Sequence, residues 1–64
     1  MVKKTVAIRR YPDLLTVKDI QEILHIGRST AYSLLKSGEI KSIRIGSVYR
    51  IPKVKLQDYI ARYS

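Results

Sequence analysis

A stripe of apolar residues predicts a short helix in the first half of the chain. Its members recur at the three- and four-residue spacing of one helix face and are Val17, Ile20, Ile23 and Leu24. Thr16 stands directly before the stripe and Asp19 follows three residues later, which is the spacing of a capping box at a helix start. We therefore expect a helix over Val17–Leu24.

A second stripe predicts a second helix over Arg28–Lys36, after a tight turn that contains Gly27. The inward-facing residues of this helix are Ala31, Leu34 and Leu35. The opposite face carries small polar and basic side chains at the same spacing, namely Arg28, Ser29, Tyr32, Ser33 and Lys36. Two short helices joined by a tight turn form a helix-turn-helix, which the sequence places at residues 16–36.

The rest of the chain predicts a hairpin followed by a last helix. Ile40–Ile45 and Val48–Ile51 are the expected strands of a hairpin at residues 40–51, because the Gly46-Ser47 pair between them favours a tight turn. A final helix is expected at residues 53–63, after Pro52. Its apolar stripe consists of Leu56, Tyr59, Ile60 and Tyr63.

The N-terminal segment gives a weaker signal. Thr5–Arg9 is a short β-branched run and predicts an N-terminal strand within an arm at residues 1–13. No repeat or linker divides the chain, so we expect one domain over residues 1–64. The predicted fold class is α+β: an N-terminal strand, two helices of a helix-turn-helix, a β-hairpin wing and a C-terminal helix.

Composition excludes several classes of function. The chain contains no cysteine, which excludes a disulfide scaffold, a cysteine-bound zinc and thiol catalysis, and its one histidine cannot form a multi-histidine metal site. No carboxylate pair or nucleophile with a base is recognisable, so we expect no enzymatic activity and no cofactor. No apolar run approaches the about 18 residues of a membrane span, and no secretory signal is recognisable. We expect a cytoplasmic, nucleoid-associated protein without a membrane partner.

The net charge points to a polyanionic partner. Thirteen Lys and Arg against five Asp and Glu give +8 over 64 residues. This charge is segmental, since residues 1–10 carry +4, residues 11–27 carry −2, residues 28–53 carry +5 and residues 54–64 carry +1. Such segmentation favours one basic face directed at a phosphate backbone.

The second helix and the hairpin are the candidate DNA-binding elements. A helix whose N-terminal residues meet base edges fits the major groove, where Arg28 can pair with guanine while Ser29 and Ser33 allow close approach. Thr30 or Tyr32 can bond a phosphate or contact a thymine methyl, and Lys36 is a further candidate DNA contact of this helix. The hairpin then serves as a wing whose basic residues contact neighbouring phosphates or the minor groove; these residues are Lys41, Arg44 and Arg50.

Several sequence blocks together resemble the excisionase-type helix-turn-helix. This family is a branch of the winged-helix domains similar to the DNA-binding part of MerR-type regulators. The likeness covers Leu14 to Ala61. The blocks are Leu15-Thr16-Val17-Lys18-Asp19-Ile20, Gly27-Arg28-Ser29-Thr30-Ala31-Tyr32, Ser37-Gly38-Glu39-Ile40, Ile43-Arg44-Ile45-Gly46 and Tyr49-Arg50-Ile51-Pro52.

The resemblance implies a small accessory protein of a mobile element. Such proteins bind repeated double-stranded sites beside an attachment site, bend the DNA and help a tyrosine recombinase to excise the element. The small contact area of one module separately predicts that several copies bind side by side, cooperatively. The family pattern places the wing at residues 44–50, which adds Ser47 and Tyr49 to the candidate DNA contacts. The uncharged pair Ser47-Val48 departs from the basic wing tip common in the family, which leaves the phosphate contacts to the basic residues Lys41, Arg44 and Arg50.

Two other functions stay open at this stage. A small transcriptional regulator would use the same fold on DNA. An antirepressor or adaptor would instead use the helix-turn-helix surface on a protein partner. The basic residues of the N-terminal arm are either phosphate contacts or a solvated tail; they are Lys3, Lys4, Arg9 and Arg10.

Overall fold

The computed structural model describes residues 8–63 and confirms the predicted α+β winged helix-turn-helix. Its elements in chain order are a 3-10 helix at Ile8–Arg10, β1 at Leu14–Leu15, α1 at Val17–Leu24, α2 at Arg28–Ser37, β2 at Ile43–Ile45, β3 at Val48–Pro52 and α3 at Lys53–Arg62. The helix-turn-helix is therefore followed directly by the hairpin and the last helix.

The start of α1 is fixed by the capping box that the sequence predicts. The Asp19 amide donates to Oγ1 of Thr16 at 3.1 Å, and the Thr16 amide donates to the Asp19 carboxylate at 3.0 Å. At its other end, α1 is closed by His25, whose backbone is left-handed (φ 57°) and whose amide donates to the carbonyl of Gln21. These two ends confine α1 to the predicted eight residues and leave a short turn before α2.

The three strands form an antiparallel sheet in the order β1-β3-β2. The turn of the hairpin is at Gly46-Ser47, with Gly46 at φ +63°, and Ile45 pairs with Val48. The prediction that the first strand begins at Ile40 was wrong, since β2 begins at Ile43. Ile40 instead enters the core, fully buried, and its amide donates to the carbonyl of Leu34 at 3.2 Å, next to the end of α2.

The predicted N-terminal strand was wrong at its last two residues. Ile8–Arg10 is a 3-10 helix, in which the Tyr11 amide donates to the Ile8 carbonyl at 3.0 Å, while Thr5–Ala7 lie outside the described residues. A strand does occur later, at Leu14–Leu15, because Leu15 is buried in the core and pairs with Ile51 of the central strand.

Lys53 attaches the segment before β1 to the start of α3. The Lys53 side chain donates to the carbonyl of Tyr11 at 2.9 Å, and its amide donates to the carbonyl of Asp13 at 2.7 Å. On the other side, the Tyr11 hydroxyl donates to the carboxylate of Glu22 in α1 at 3.2 Å. The last residues of the predicted arm at 1–13 are therefore bonded to the body of the protein.

The core is small and apolar. Every α-helix contributes to it, as do β1, β3 and the loop after α2, whereas the three residues of β2 are all exposed. Among residues 10–63, no polar or charged residue is buried. The buried side chains are Leu15, Ile20, Ala31, Leu35, Ile40, Tyr49, Ile51 and Leu56.

The end of α3 is bonded to the loop that follows α2. Leu56 is buried as the predicted stripe requires, but Tyr63 at the end of that stripe is 69% exposed. Its hydroxyl donates to the carboxylate of Glu39 at 3.2 Å, and the Arg62 guanidinium donates to the Glu39 carbonyl at 2.8 Å. Tyr63 thus extends past the core and forms a polar contact at the surface.

The two glycines that flank α2 should respond in opposite ways to the same substitution. A Cβ meets nothing within 4 Å at either position. Gly27 is the N-cap of α2, with φ −77° and ψ 170°, a conformation that serine adopts without strain. A serine there adds a side-chain cap, so Gly27→Ser should raise the free energy of unfolding by about 0.5–1 kcal/mol. Gly38 has a left-handed backbone at φ +84°, which is strained for a residue with a Cβ. Gly38→Ser should therefore lower the free energy of unfolding by about 1–2 kcal/mol. Urea unfolding of both variants measures these changes; the same sign for both would contradict the assignment.

The contact between Tyr63 and Glu39 should make stability depend on pH in the alkaline range. The hydrogen bond to the Glu39 carboxylate raises the pKa of Tyr63 above its ordinary value of 10.0. The bond therefore contributes fully below the unfolded pKa and is lost as pH rises through the higher folded pKa. Tyr63→Phe should lose less stability than the wild type between neutral pH and a pH above 10. Urea midpoints at both pH values measure this, and equal losses would contradict it.

Candidate nucleic-acid interface

The outer face of α2 is exposed and carries mostly small polar and basic side chains. Five of the predicted contact residues are exposed here: Arg28, Ser29, Thr30, Ser33 and Lys36. Tyr32 is half-buried between this face and the core. Ser29, Ser33 and Lys36 form one shallow hollow with Tyr32 and Ser37. The short serine side chains leave the helix backbone open to close approach by another molecule.

A groove separates the N-terminal ends of α1 and α2 from the tip of the wing. It has a volume of about 570 Å³ and is open to solvent. Four predicted contact residues line it: Arg28, Tyr32, Ser47 and Tyr49. The structure therefore brings the start of α2 and the wing tip to the walls of one concave surface. Thr16, Val17, Lys18, Gln21 and Val48 complete its lining.

Two polar residues of this groove were not singled out from the sequence. Lys18 and Gln21 stand three residues apart on α1 and line the groove beside Arg28. Their helical spacing was the available signal. It was obscured because Lys18 is the one cation in the net acidic segment at residues 11–27.

The hairpin places its two arginines on opposite faces. Arg44 pairs directly with Tyr49, and Arg50 pairs with Ile43. Because side chains alternate along a strand, Arg44 shares the inner face with Tyr49, while Arg50 shares the outer face with Val48 and Ile43. The two cations therefore do not form one patch on the hairpin. The Arg44 guanidinium instead lies 5.0 Å from the centroid of the Tyr49 ring.

The outer face of the wing is mainly apolar. Ile43, Ile45 and Val48 are 50%, 62% and 49% exposed. Arg50 lies among them and is half-buried. Val48 at the tip end of this face also lines the groove, together with Tyr49 of the inner face.

The remaining candidates have different surroundings. Tyr49 is 9% exposed and belongs to the core, so only a small part of it faces the groove. Lys41 is exposed in the loop before β2. Thr30 is exposed on α2 and lines neither the groove nor the hollow.

Over residues 8–63, no three histidine, cysteine, aspartate or glutamate side chains are grouped closely enough to hold a metal ion. Within the same part of the chain, no helix has the length and apolar content needed to cross a membrane.

These features define a winged helix-turn-helix domain. They are two short helices joined by a tight turn, an exposed polar face on the second helix and an adjoining hairpin. Comparison with known families agrees, since the family model described as "Helix-turn-helix domain" matches residues 14–64. The chain is 48% identical over 58 residues to a probable excisionase of Saccharopolyspora erythraea, a match that covers 88% of this chain and 59% of that protein. It is 37% identical over 49 residues to an excisionase of Streptomyces ambofaciens, covering 77% of this chain and 79% of that protein.

The chain belongs to the excisionase family of helix-turn-helix proteins. It spans only 59% of the length of the Saccharopolyspora relative. No solved structure gives a significant match. The predicted kinship with MerR-type regulators stays a prediction.

Proposed function

We propose that the protein binds double-stranded DNA through the outer face of α2 and the adjoining groove, and acts as an accessory factor in excision of a mobile element. The observation that carries this proposal is the exposed polar face of α2, which begins at Arg28 and borders a groove shared with the wing tip. Membership in the excisionase family supports the same function.

The dimensions of α2 suit the major groove. Its ten residues extend about 15 Å, and the major groove is about 12 Å wide and accepts one helix. Arg28 is the first residue of α2, the end that meets base edges in helix-turn-helix proteins, and its guanidinium can donate two hydrogen bonds to guanine. Ser29 and Ser33 allow close approach, while Thr30, Tyr32 and Lys36 contact the thymine methyl groups or the backbone.

The wing supplies the flanking contacts. Arg44 and Ser47 lie at or near the wing tip, where we place contacts to the sugar-phosphate backbone. Lys41 is exposed before β2 and contributes to the same contacts. Arg50 lies on the face of the hairpin opposite Arg44, so in this proposal it contacts phosphates from the other side of the wing.

The role in excision is inferred from the relatives, one named a probable excisionase and the other an excisionase. In this proposal the protein bends DNA beside an attachment site so that a tyrosine recombinase assembles there, and further copies bind side by side. A single small module buries only about 600–1,000 Å² on DNA, which favours several adjacent copies. The protein performs no chemistry itself and is associated with DNA in the nucleoid.

The affinity for duplex DNA should fall steeply with salt. Contacts from α2 and the wing that neutralise about five phosphates release their counterions, which gives a slope of about −4 to −5 for log K against log salt concentration. Fluorescence anisotropy with a labelled duplex, measured over a series of salt concentrations, determines the slope. A slope near zero would contradict DNA binding by this surface.

Arg28→Ala should weaken both DNA binding and excision. Loss of a bidentate contact to guanine costs about 1–3 kcal/mol, or about fivefold to more than a hundredfold in affinity. Arg62→Ala is the matched control, because it removes the same charge from an exposed helix residue that is bonded to Glu39 at the end of α3. Duplex affinity and recombinase-dependent excision in vitro are the two measurements.

Equal effects of the two substitutions would show that net charge, and not the position of Arg28, determines binding. If Arg28→Ala lost DNA affinity but left excision unchanged, DNA binding would not be required for excision, and a transcriptional regulator would be favoured. Unchanged affinity together with a changed response in vivo would favour an adaptor that binds a protein partner.

A further inference from the structure

We propose that Tyr49 is a positioning residue for DNA binding: it holds Arg44 of the wing and Tyr32 of α2 in one fixed arrangement before DNA arrives. This inference rests on the proposed DNA-binding function. It assigns Tyr49 a role different from the direct DNA contact that the family pattern suggests.

The cation and the ring are held together by the register of the hairpin. Arg44 and Tyr49 are directly opposite on adjacent strands, and side chains at such positions interact across the strand pair. The guanidinium carbon lies 5.0 Å from the ring centroid, within the about 6 Å range of cation–π attraction. Tyr49 is 9% exposed while Arg44 is exposed, so a buried ring supports a solvent-facing cation.

The same ring also contacts the helix proposed to enter the major groove. Tyr32 and Tyr49 are arranged edge to face, with centroids 5.8 Å apart and an interplanar angle of 66°. Tyr32 lines both the groove and the hollow along α2. One buried side chain therefore connects the two DNA-binding elements, the wing through Arg44 and α2 through Tyr32.

Fixing Arg44 in advance lowers the cost of binding. An exposed arginine samples many rotamers, and each long side chain immobilised at an interface costs about two- to tenfold in affinity. The Tyr49 ring already restricts the rotamers of Arg44 in the free protein. Little further conformational entropy is therefore lost when Arg44 contacts a phosphate. Arg28 is exposed at the start of α2 and provides the comparison within the same protein.

The test combines a mutant cycle with the mobility of the Arg44 side chain. The variants are Tyr49→Phe, Tyr49→Leu, Arg44→Ala and the double variant Tyr49→Leu/Arg44→Ala. The probe is one duplex selected from a random library on the wild-type protein and used throughout. Affinity is measured by anisotropy, and the mobility of the Arg44 Nε–H group in the free protein is measured by NMR relaxation, with the exposed Arg28 as the internal reference.

Tyr49→Phe retains the ring and should leave both the affinity and the restricted mobility of Arg44 unchanged. Tyr49→Leu should weaken binding about three- to tenfold and make Arg44 as mobile as an unsupported surface arginine. In the Arg44→Ala background, Tyr49→Leu should weaken binding by a distinctly smaller factor, because the cation it positions is already gone.

A purely structural role gives a different result. Ile51→Val removes a methyl group from the neighbouring inward position of β3, so it lowers stability without changing the Arg44 pair and should leave the affinity of the folded protein intact. Equal factors for Tyr49→Leu with and without Arg44 would overturn the proposal. If Tyr49→Leu does not fold, a freely mobile Arg44 side chain in the wild type or in Tyr49→Phe would overturn it.

The two proposals fail separately. If the wild type binds no duplex, the proposed function is wrong. If it binds and Arg44 is mobile or the cycle is additive, only the positioning role of Tyr49 is wrong.

Discussion

The alternation of side chains along β3 is the constraint on which the other elements depend. Tyr49 and Ile51 point into the core, while Val48 and Arg50 between and beside them face outward. As the central strand, β3 pairs with β1 on one side and β2 on the other. A shift of one residue in this strand would expose both core side chains and would bury an arginine, which this small apolar core cannot accommodate.

That constraint links the stability of the domain to its proposed contact surface. The inward position that supplies Tyr49 to the core also puts its ring against Tyr32 of α2 and below Arg44 of β2. The contacts of Tyr49 consequently fix the position of the wing relative to α2. The open groove between them is bounded by side chains whose positions the core determines.

The sequence predicted the elements whose signals are local. The capping box at Thr16 and the apolar stripes gave α1 and most of α2, and helical spacing gave the exposed face of α2. The short β1 was missed because its two residues become a strand only by pairing with β3. The two-residue turn fixes which hairpin residues are opposite each other, but which face is inward depends on the packed core. The two-residue turn alone therefore implies that Arg44 and Arg50 lie on opposite faces, but not which of the two faces the core.

The brevity of β2 has a consequence for solubility. It is an edge strand with unpaired backbone groups on one side and with exposed Ile43 and Ile45, features that ordinarily invite other chains to add to a sheet. Only three residues are available, the charged Arg44 stands in the middle, and the left-handed Gly46 follows immediately. An incoming strand would find too few hydrogen-bonding partners to stay in register, so this edge resists aggregation into extended β-sheets although its side chains are largely apolar.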